Sequence, residues 1–256
     1  MMIPSSDGTD LACVSGGAGP AVLMVHGSGA SAAQFATLRP LLEADFTVVA
    51  FDRRGHGASG DGAGYALARE AEDIAAVMAA TGARDVFAHS YGAVCALAAA
   101  RAGAPIRRLV LYEPPVVTTP GAYFPPALIA QMRAAVEAGD GDAAITAFAT
   151  TVRGVGPEQL AQMRRMPGWA ERAAHAPVLL RELEAVAGFD ATALGKISAP
   201  TLLLRGELSA PDYVATADAL LAALPDARLH VLPGQRHGAI EAAPAAVVEA
   251  VKPFLG

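Results

Sequence analysis

Three short segments of this 256-residue chain carry groups that could do covalent chemistry together. Ala88-His89-Ser90-Tyr91-Gly92 sets a serine between an apolar run and a helical one. At the apex of a strand-to-helix turn, a serine is held in strained backbone geometry, and small residues two positions to either side leave its Oγ exposed. Gly92 meets that requirement, and Ala88 stands where glycine is usual, adding only a methyl group. The alternative for Ser90 is a plain helix cap. His26-Gly27-Ser28-Gly29 is a glycine-rich turn that could aim the Ser28 N–H, with the Tyr91 N–H as partner, at a developing oxyanion. It could instead cradle phosphate, although its spacing matches neither the P-loop nor the dinucleotide fingerprint. Gly234-Gln235-Arg236-His237 offers a late histidine as general base, and a serine activated by histidine is suited to acyl transfer.

Other reactive types fit structural roles better. Asp52-Arg53-Arg54-Gly55-His56-Gly57-Ala58-Ser59 shapes a loop beneath the site rather than supplying a catalytic Asp52 or His56. His89 is adjacent to the nucleophile and points elsewhere, His175 falls in a helical region, and His230 lies within a strand. Cys13 and Cys95 are far apart and lack any CxxC or CxxH spacing, so both read as free thiols, and no metal or organic cofactor is expected.

These segments need a scaffold that brings them to one edge. Nearly continuous apolar runs at Ala21 to Val25, Phe46 to Phe51, Asp85 to Ala88, Arg108 to Tyr112, Thr201 to Leu204 and Arg228 to Leu232 predict strands buried on both faces. Between them, helical periodicity covers Ser31 to Ala44, Ala66 to Thr81, Tyr91 to Gly103, Tyr213 to Leu224 and Pro244 to Phe254. The alternation predicts an α/β fold, a mostly parallel sheet with helices on both faces. Asp7-Gly8 marks a hairpin between two antiparallel edge strands. From Pro114 to about Gly195 the strand rhythm stops and helical periodicity takes over, which predicts a helical cap at 115–194 inserted in a core of 1–114 and 195–256.

Composition narrows the partners. Hydrophobic residues make up 53% and charged residues 17%, which excludes a disordered chain. A net charge of -6 and the lack of any basic run argue against nucleic acid. The first residues show no secretory pattern and no apolar stretch is long enough to span a bilayer, so a cytoplasmic protein away from membranes is expected. The sequence carries no signal for oligomeric state.

The order of HGxG turn, DxRGxGxS loop, serine turn, helical insertion and late GxxH histidine resembles the α/β-hydrolase family over almost the whole chain apart from the cap. The resemblance implies an eight-stranded, mostly parallel sheet and a serine hydrolase with Ser90 as nucleophile and His237 as base. It also exposes a departure. The family usually places an acid in a GxxD turn after the strand Thr201 to Leu204, and here Gly206-Glu207-Leu208-Ser209 puts a serine there. A neutral hydroxyl cannot stabilise an imidazolium. Glu113, in Tyr112-Glu113-Pro114-Pro115 at the preceding strand end, is the acid that the resemblance favours, as in zearalenone lactone hydrolases and, in acid position only, haloalkane dehalogenases. Asp212 is the competitor. The dehalogenases attack carbon with an aspartate, whereas Ser90 suits acyl transfer. Trp169 and Phe124 of the cap are candidate contacts for a hydrophobic ester or lactone. A cofactor-free lyase or a ligand-binding receptor is the alternative on the same fold.

Overall fold

The computed structural model describes residues 1–116, 123–166, 168–189 and 191–256. The chain divides into two compact units, Met1–Thr118 with Asp190–Gly256, and Thr119–Phe189. The first unit opens with β1 (Met2–Pro4) and β2 (Asp10–Gly16), an antiparallel pair whose turn uses Gly8 at a φ of 83°. There follow β3 (Ala21–Val25), α1 (Arg39–Leu42), β4 (Thr47–Phe51), α2 (Leu67–Thr81), β5 (Asp85–His89), α3 (Tyr91–Arg101) and β6 (Arg108–Tyr112). The second unit holds α4 (Pro126–Glu137), α5 (Gly141–Arg153), α6 (Pro157–Arg164), α7 (Trp169–Ala174) and α8 (Ala176–Ala187). The first unit resumes with β7 (Thr201–Gly206), α9 (Pro211–Ala223), β8 (Ala227–Leu232), α10 (Ala239–Ala242) and α11 (Pro244–Leu255).

The strands form one eight-stranded sheet in the order β1-β2-β4-β3-β5-β6-β7-β8. Pairings of β2 with β1 and β4 are antiparallel, and all others are parallel. Side chains alternate across the sheet. Val22, Met24, Val48, Phe87, Val110 and Leu202 pack on one face with Phe35, Leu38, Ile240 and Val251 in a single core cluster. On the other side α2 and α3 pack together, and α3 is buried from Tyr91 to Ala99, with alanine at positions 93, 96, 98 and 99. Because β3 to β8 run parallel, the carboxyl ends of β3, β5, β6, β7 and β8 share one edge, where an open α/β sheet places its ligands.

Local chemistry explains the element ends. α2 stops at Gly82, whose left-handed φ of 73° lets its N–H bond Met78 O. The helix expected over Ser31 to Ala44 is instead a 3-10 turn at Ala32–Phe35 followed by α1, because Pro40 has no N–H with which to continue a ladder from the earlier turn. α9 begins at Pro211, before the expected Tyr213, since proline is preorganised for a first helical position. The second unit is helical as expected, with Asp140 capping α5 through the Ala143 N–H at 2.9 Å. The units divide at 118/119 and 189/190 rather than at the 114/115 and 194/195 boundaries read from sequence. Val116 is buried, with its carbonyl accepting a bond from Thr216 of α9, and Leu194 is fully buried, so both flanks belong to the first unit. Among the described residues no helix is long and apolar enough to cross a membrane. Cys13 and Cys95 are free and buried, and burial pushes the Cys13 thiol up to about 11.

Beneath the carboxyl edge the loop after β4 is locked by charge. Asp52 accepts the N–H groups of Ala32 and Ala58 at 2.7 and 2.8 Å, and a Cβ on Gly57 would meet its carboxylate at 2.1 Å. Arg54 is fully buried and grips both oxygens of buried Asp73 at 2.7 Å each, and also Asp7 at 3.0 Å. Removing one partner strands a desolvated charge. Arg54→Ala is expected to cost about 3–5 kcal/mol, read as a lowered urea midpoint at unchanged m-value.

Candidate active site

Ser90 occupies the single-residue turn between β5 and α3, with φ 54° and ψ −124°. Among the described residues only Ser90 and Glu113 are non-glycine residues with positive φ, a conformation costing of order 1–3 kcal/mol. The surroundings hold it: Ser90 N–H donates to Tyr112 O at 2.9 Å, and Ser90 O accepts from Ala93 N–H at 2.9 Å. A Cβ on Gly92 would lie 2.4 Å from His26 O and 2.5 Å from Val25 O, so glycine there lets α3 seat against the end of β3. Position 88 lies inside β5, where the structure accommodates the methyl of Ala88. The two glycine requirements of the turn are therefore unequal. Ser90 is half-buried, and its hydroxyl makes no hydrogen bond to His237, a contact that commonly tightens only with substrate bound.

Glu113 directly follows β6 and is 3% exposed. Its N–H donates to Leu204 O at 3.2 Å, which prolongs the β6–β7 pairing by one residue. Its Oε1 accepts Gly206 N–H at 2.8 Å, and its Oε2 lies 2.7 Å from His237 Nδ1. Glu113 is thus the carboxylate that meets His237. Asp212 is exposed in the first turn of α9, where a negative charge complements the helix dipole. At the position where an acid is usual, the Ser209 hydroxyl is buried without a hydrogen-bond partner among the described residues.

The loop carrying His237 is pinned carbonyl by carbonyl. Gln235 O accepts from Leu208 N–H at 2.9 Å, Arg236 O from the Tyr112 hydroxyl, and His237 O from His89 Nε2 at 3.0 Å. Burial, reinforced by the neighbouring Glu113 charge, raises the Tyr112 phenol and keeps it a donor. Gly206 has no room for a Cβ, which would sit 2.5 Å from Gln235 O. The His237 ring is stacked on Tyr213 at 4.6 Å and 15°, with the His89 ring 4.5 Å away on a tilted plane. His89, read from sequence as pointing elsewhere, therefore holds His237 in place. Because a carbonyl can only accept, His89 carries its proton on Nε2. Its adjacency to Ser90 was visible, but the encounter with residue 237 depends on the tertiary fold, as does the Tyr213 stack.

The turn after β3 presents the half-buried Ser28, whose N–H makes no hydrogen bond to another described residue, whereas Gly27 N–H is bound to Gln34 Oε1 at 3.1 Å. A Cβ on Gly27 would be 3.1 Å from Ser90 Cβ, so this turn adjoins the serine. Tyr91 opens α3, and a helix N-terminus directs N–H groups and positive dipole outward. Ser28, Ser90, Tyr91, Glu113 and His237 thus collect at one edge of the first unit. Trp169 and Phe124 lie in the second unit, buried and engaged there: Trp169 Nε1 donates to Asp142 at 2.6 Å, and Phe124 packs edge-to-face on Tyr123. Among the described residues no group of three His, Cys, Asp or Glu could hold a metal ion.

A sequence profile described as alpha/beta hydrolase family matches residues 22–250. The crystal structure of an alpha/beta hydrolase from Sphaerobacter thermophilus DSM 20745 is 38% identical, with 100% of both chains covered and a TM-score of 0.87. A hydrolase from Pseudomonas aeruginosa PA01 is 26% identical, covering 100% of this chain and 98% of that one at a TM-score of 0.76. A fluoroacetate dehalogenase from Burkholderia sp is 38% identical over 76 residues, and the match spans only 25% of that curated relative's length.

Two outcomes follow from this geometry. Gly92→Ala is expected to lose about 1–3 kcal/mol by overpacking against backbone, whereas Ala88→Gly loses less than about 1 kcal/mol, both measured by urea unfolding. His26 and His89 are both held well below the ordinary histidine range, each chiefly by burial, then by the Arg53 charge for His26 and by His237 for His89. Below about pH 6.5 the unfolded chain binds protons that the folded chain refuses, so stability falls as pH falls. Between pH 7.5 and 5.5 the loss should be of order 1 kcal/mol per histidine, and His89→Gln should flatten the slope.

Proposed function

The chain belongs to the alpha/beta hydrolase family, and from that membership and the geometry of the edge we propose a serine hydrolase that cleaves esters or lactones of hydrophobic small molecules through an acyl-enzyme. The observation that carries the reading is the 2.7 Å contact between buried Glu113 and His237 Nδ1, beside a serine held at φ 54°. A carboxylate on Nδ1 keeps that nitrogen protonated and leaves Nε2 free to act as base. Nε2 takes the proton of Ser90 Oγ as the oxygen bonds to the substrate carbonyl carbon. The Ser28 and Tyr91 amides receive the oxyanion. Collapse breaks the bond to the leaving oxygen, which takes the proton from Nε2; in a lactone that alcohol stays tethered to the acyl group. Water then repeats the sequence, releasing the acid and restoring Ser90. The reading calls on no metal or organic cofactor.

Dehalogenation at saturated carbon fits position 90 poorly. Attack there by serine would leave an alkyl ether, which has no carbonyl for water to enter, whereas an aspartyl ester has one.

Wild-type protein is expected to be labelled at Ser90 by a fluorophosphonate and to turn over aryl esters, with Ser90→Ala losing both. Glu113→Gln is expected to lower kcat roughly 10³- to 10⁴-fold. Wild-type protein that takes no label overturns the serine-hydrolase reading, and full turnover by Glu113→Gln removes Glu113 from it. A protein that labels but returns only elimination products is a lyase.

A further inference from the structure

Arg53 fills the variable position of the DxRG loop and carries a fully buried guanidinium directly behind the turn of Ser28. Its Nε donates to His26 O at 3.0 Å and its Nη2 to Gly27 O at 3.4 Å. Nη1 pairs with Glu70 at 2.8 Å, and both side chains of that pair are wholly buried. The guanidinium carbon lies 4.9 Å from the centre of the Tyr91 ring. One side chain thus touches the residue before one candidate oxyanion donor, Ser28, and the ring of the other, Tyr91.

The tautomer of His26 sharpens the point. His26 Nε2 accepts the Arg53 backbone N–H at 2.9 Å, so the neutral ring carries its proton on Nδ1, which donates to Gly27 O at 2.8 Å. Gly27 O therefore accepts from both the imidazole and the guanidinium. That carbonyl belongs to the amide whose N–H is Ser28's. A carbonyl that accepts hydrogen bonds polarises its amide and strengthens the N–H as a donor. A buried ion pair is a poor source of stability compared with apolar packing, so stability alone gives little reason for one at this place.

The geometry points to Arg53 as a positioning residue for the oxyanion hole, clamping the His26 and Gly27 carbonyls so that the Ser28 amide is aimed and polarised toward charge that appears only in the transition state. This rests on the serine-hydrolase reading above. It goes further by assigning part of the hole's strength to a side chain that does not touch substrate.

The test compares Arg53→Met/Glu70→Gln, which removes both members of the pair, with Glu70→Gln, which keeps the clamp. Turnover of an aryl ester is normalised to sites titrated to completion with a fluorophosphonate, so that loss of folded protein does not count. The double variant is expected to lose about 100-fold in kcat, with KM within about twofold. Its affinity for a trifluoromethyl ketone, which bonds to the serine oxygen and presents an oxyanion, should fall in proportion to kcat/KM. Glu70→Gln alone should stay within about threefold of wild type. If the double variant does not fold, Arg53→Lys, which keeps the charge but cannot bridge both carbonyls, should show an intermediate loss with the same proportionality. A folded double variant with unchanged kcat, a change confined to KM, or ketone affinity independent of kcat/KM overturns the assignment. Wild-type protein that neither labels nor hydrolyses overturns the underlying reading, and the assignment with it; wild type and double variant reacting equally sinks Arg53 alone.

Discussion

The buried carboxylate of Glu113 is the contact through which the candidate active-site edge coheres. One oxygen takes the N–H of Gly206 at the end of β7, and the other takes His237 Nδ1 from the loop after β8, while the residue itself directly follows β6. Three neighbouring strands therefore meet at one side chain. A carboxylate this buried is stable only if its oxygens are satisfied, and each is. The arrangement also depends on Gly206, since any Cβ there would push the Gln235 carbonyl away and His237 with it.

Among the described residues, a positive φ away from glycine occurs only where chemistry is proposed. Ser90 and Glu113 adopt a left-handed φ, and both sit at the carboxyl ends of adjacent central strands. Each is overdetermined by neighbours: Ser90 by Tyr112 O and the close seat of Gly92, Glu113 by its bonds to β7 and by the two prolines that follow it. Strain of this kind persists when the surroundings leave no alternative. The loop of His237 reaches the same rigidity differently, through three successive carbonyls held by Leu208, Tyr112 and His89.

A second layer, ionic rather than strained, lies under the turn after β3. Arg54 with Asp73 and Asp7 closes the first unit's antiparallel edge onto α2, and Arg53 with Glu70 backs the turn itself. The adjacent arginines both pair with a carboxylate of α2, Arg53 with Glu70 and Arg54 with Asp73, and differ in their remaining contacts. Arg54 turns to the hairpin of β1 and β2, and Arg53 turns to His26 and Gly27.

Much of this was legible in the residues alone. Apolar runs located the strands within a residue or two, and the parallel order followed from their alternation with helices, but the expected burial on both faces fails for β8, which lies at the sheet edge with Arg228 and His230 exposed and only Leu232 buried. Ser90 and His237 stood in motifs whose spacing is set by local turns, and such turns are written in short sequence. The differences from the sequence have two causes, one local and one tertiary. The break at Pro40 was local and visible in principle, but periodicity outweighed it. His89 lies beside Ser90 in the chain, whereas its hydrogen-bond partner in space is the carbonyl of His237. Glu113 is favoured over Asp212 only through a resemblance, because the residues alone rank carboxylates by strand ends and say nothing of which one reaches an imidazole 124 residues away. Local chemistry thus determined the strands, the serine turn and the histidine loop. Only the tertiary structure decided their partners, because hydrogen bonds between strand ends depend on sheet order and register, which no single segment encodes.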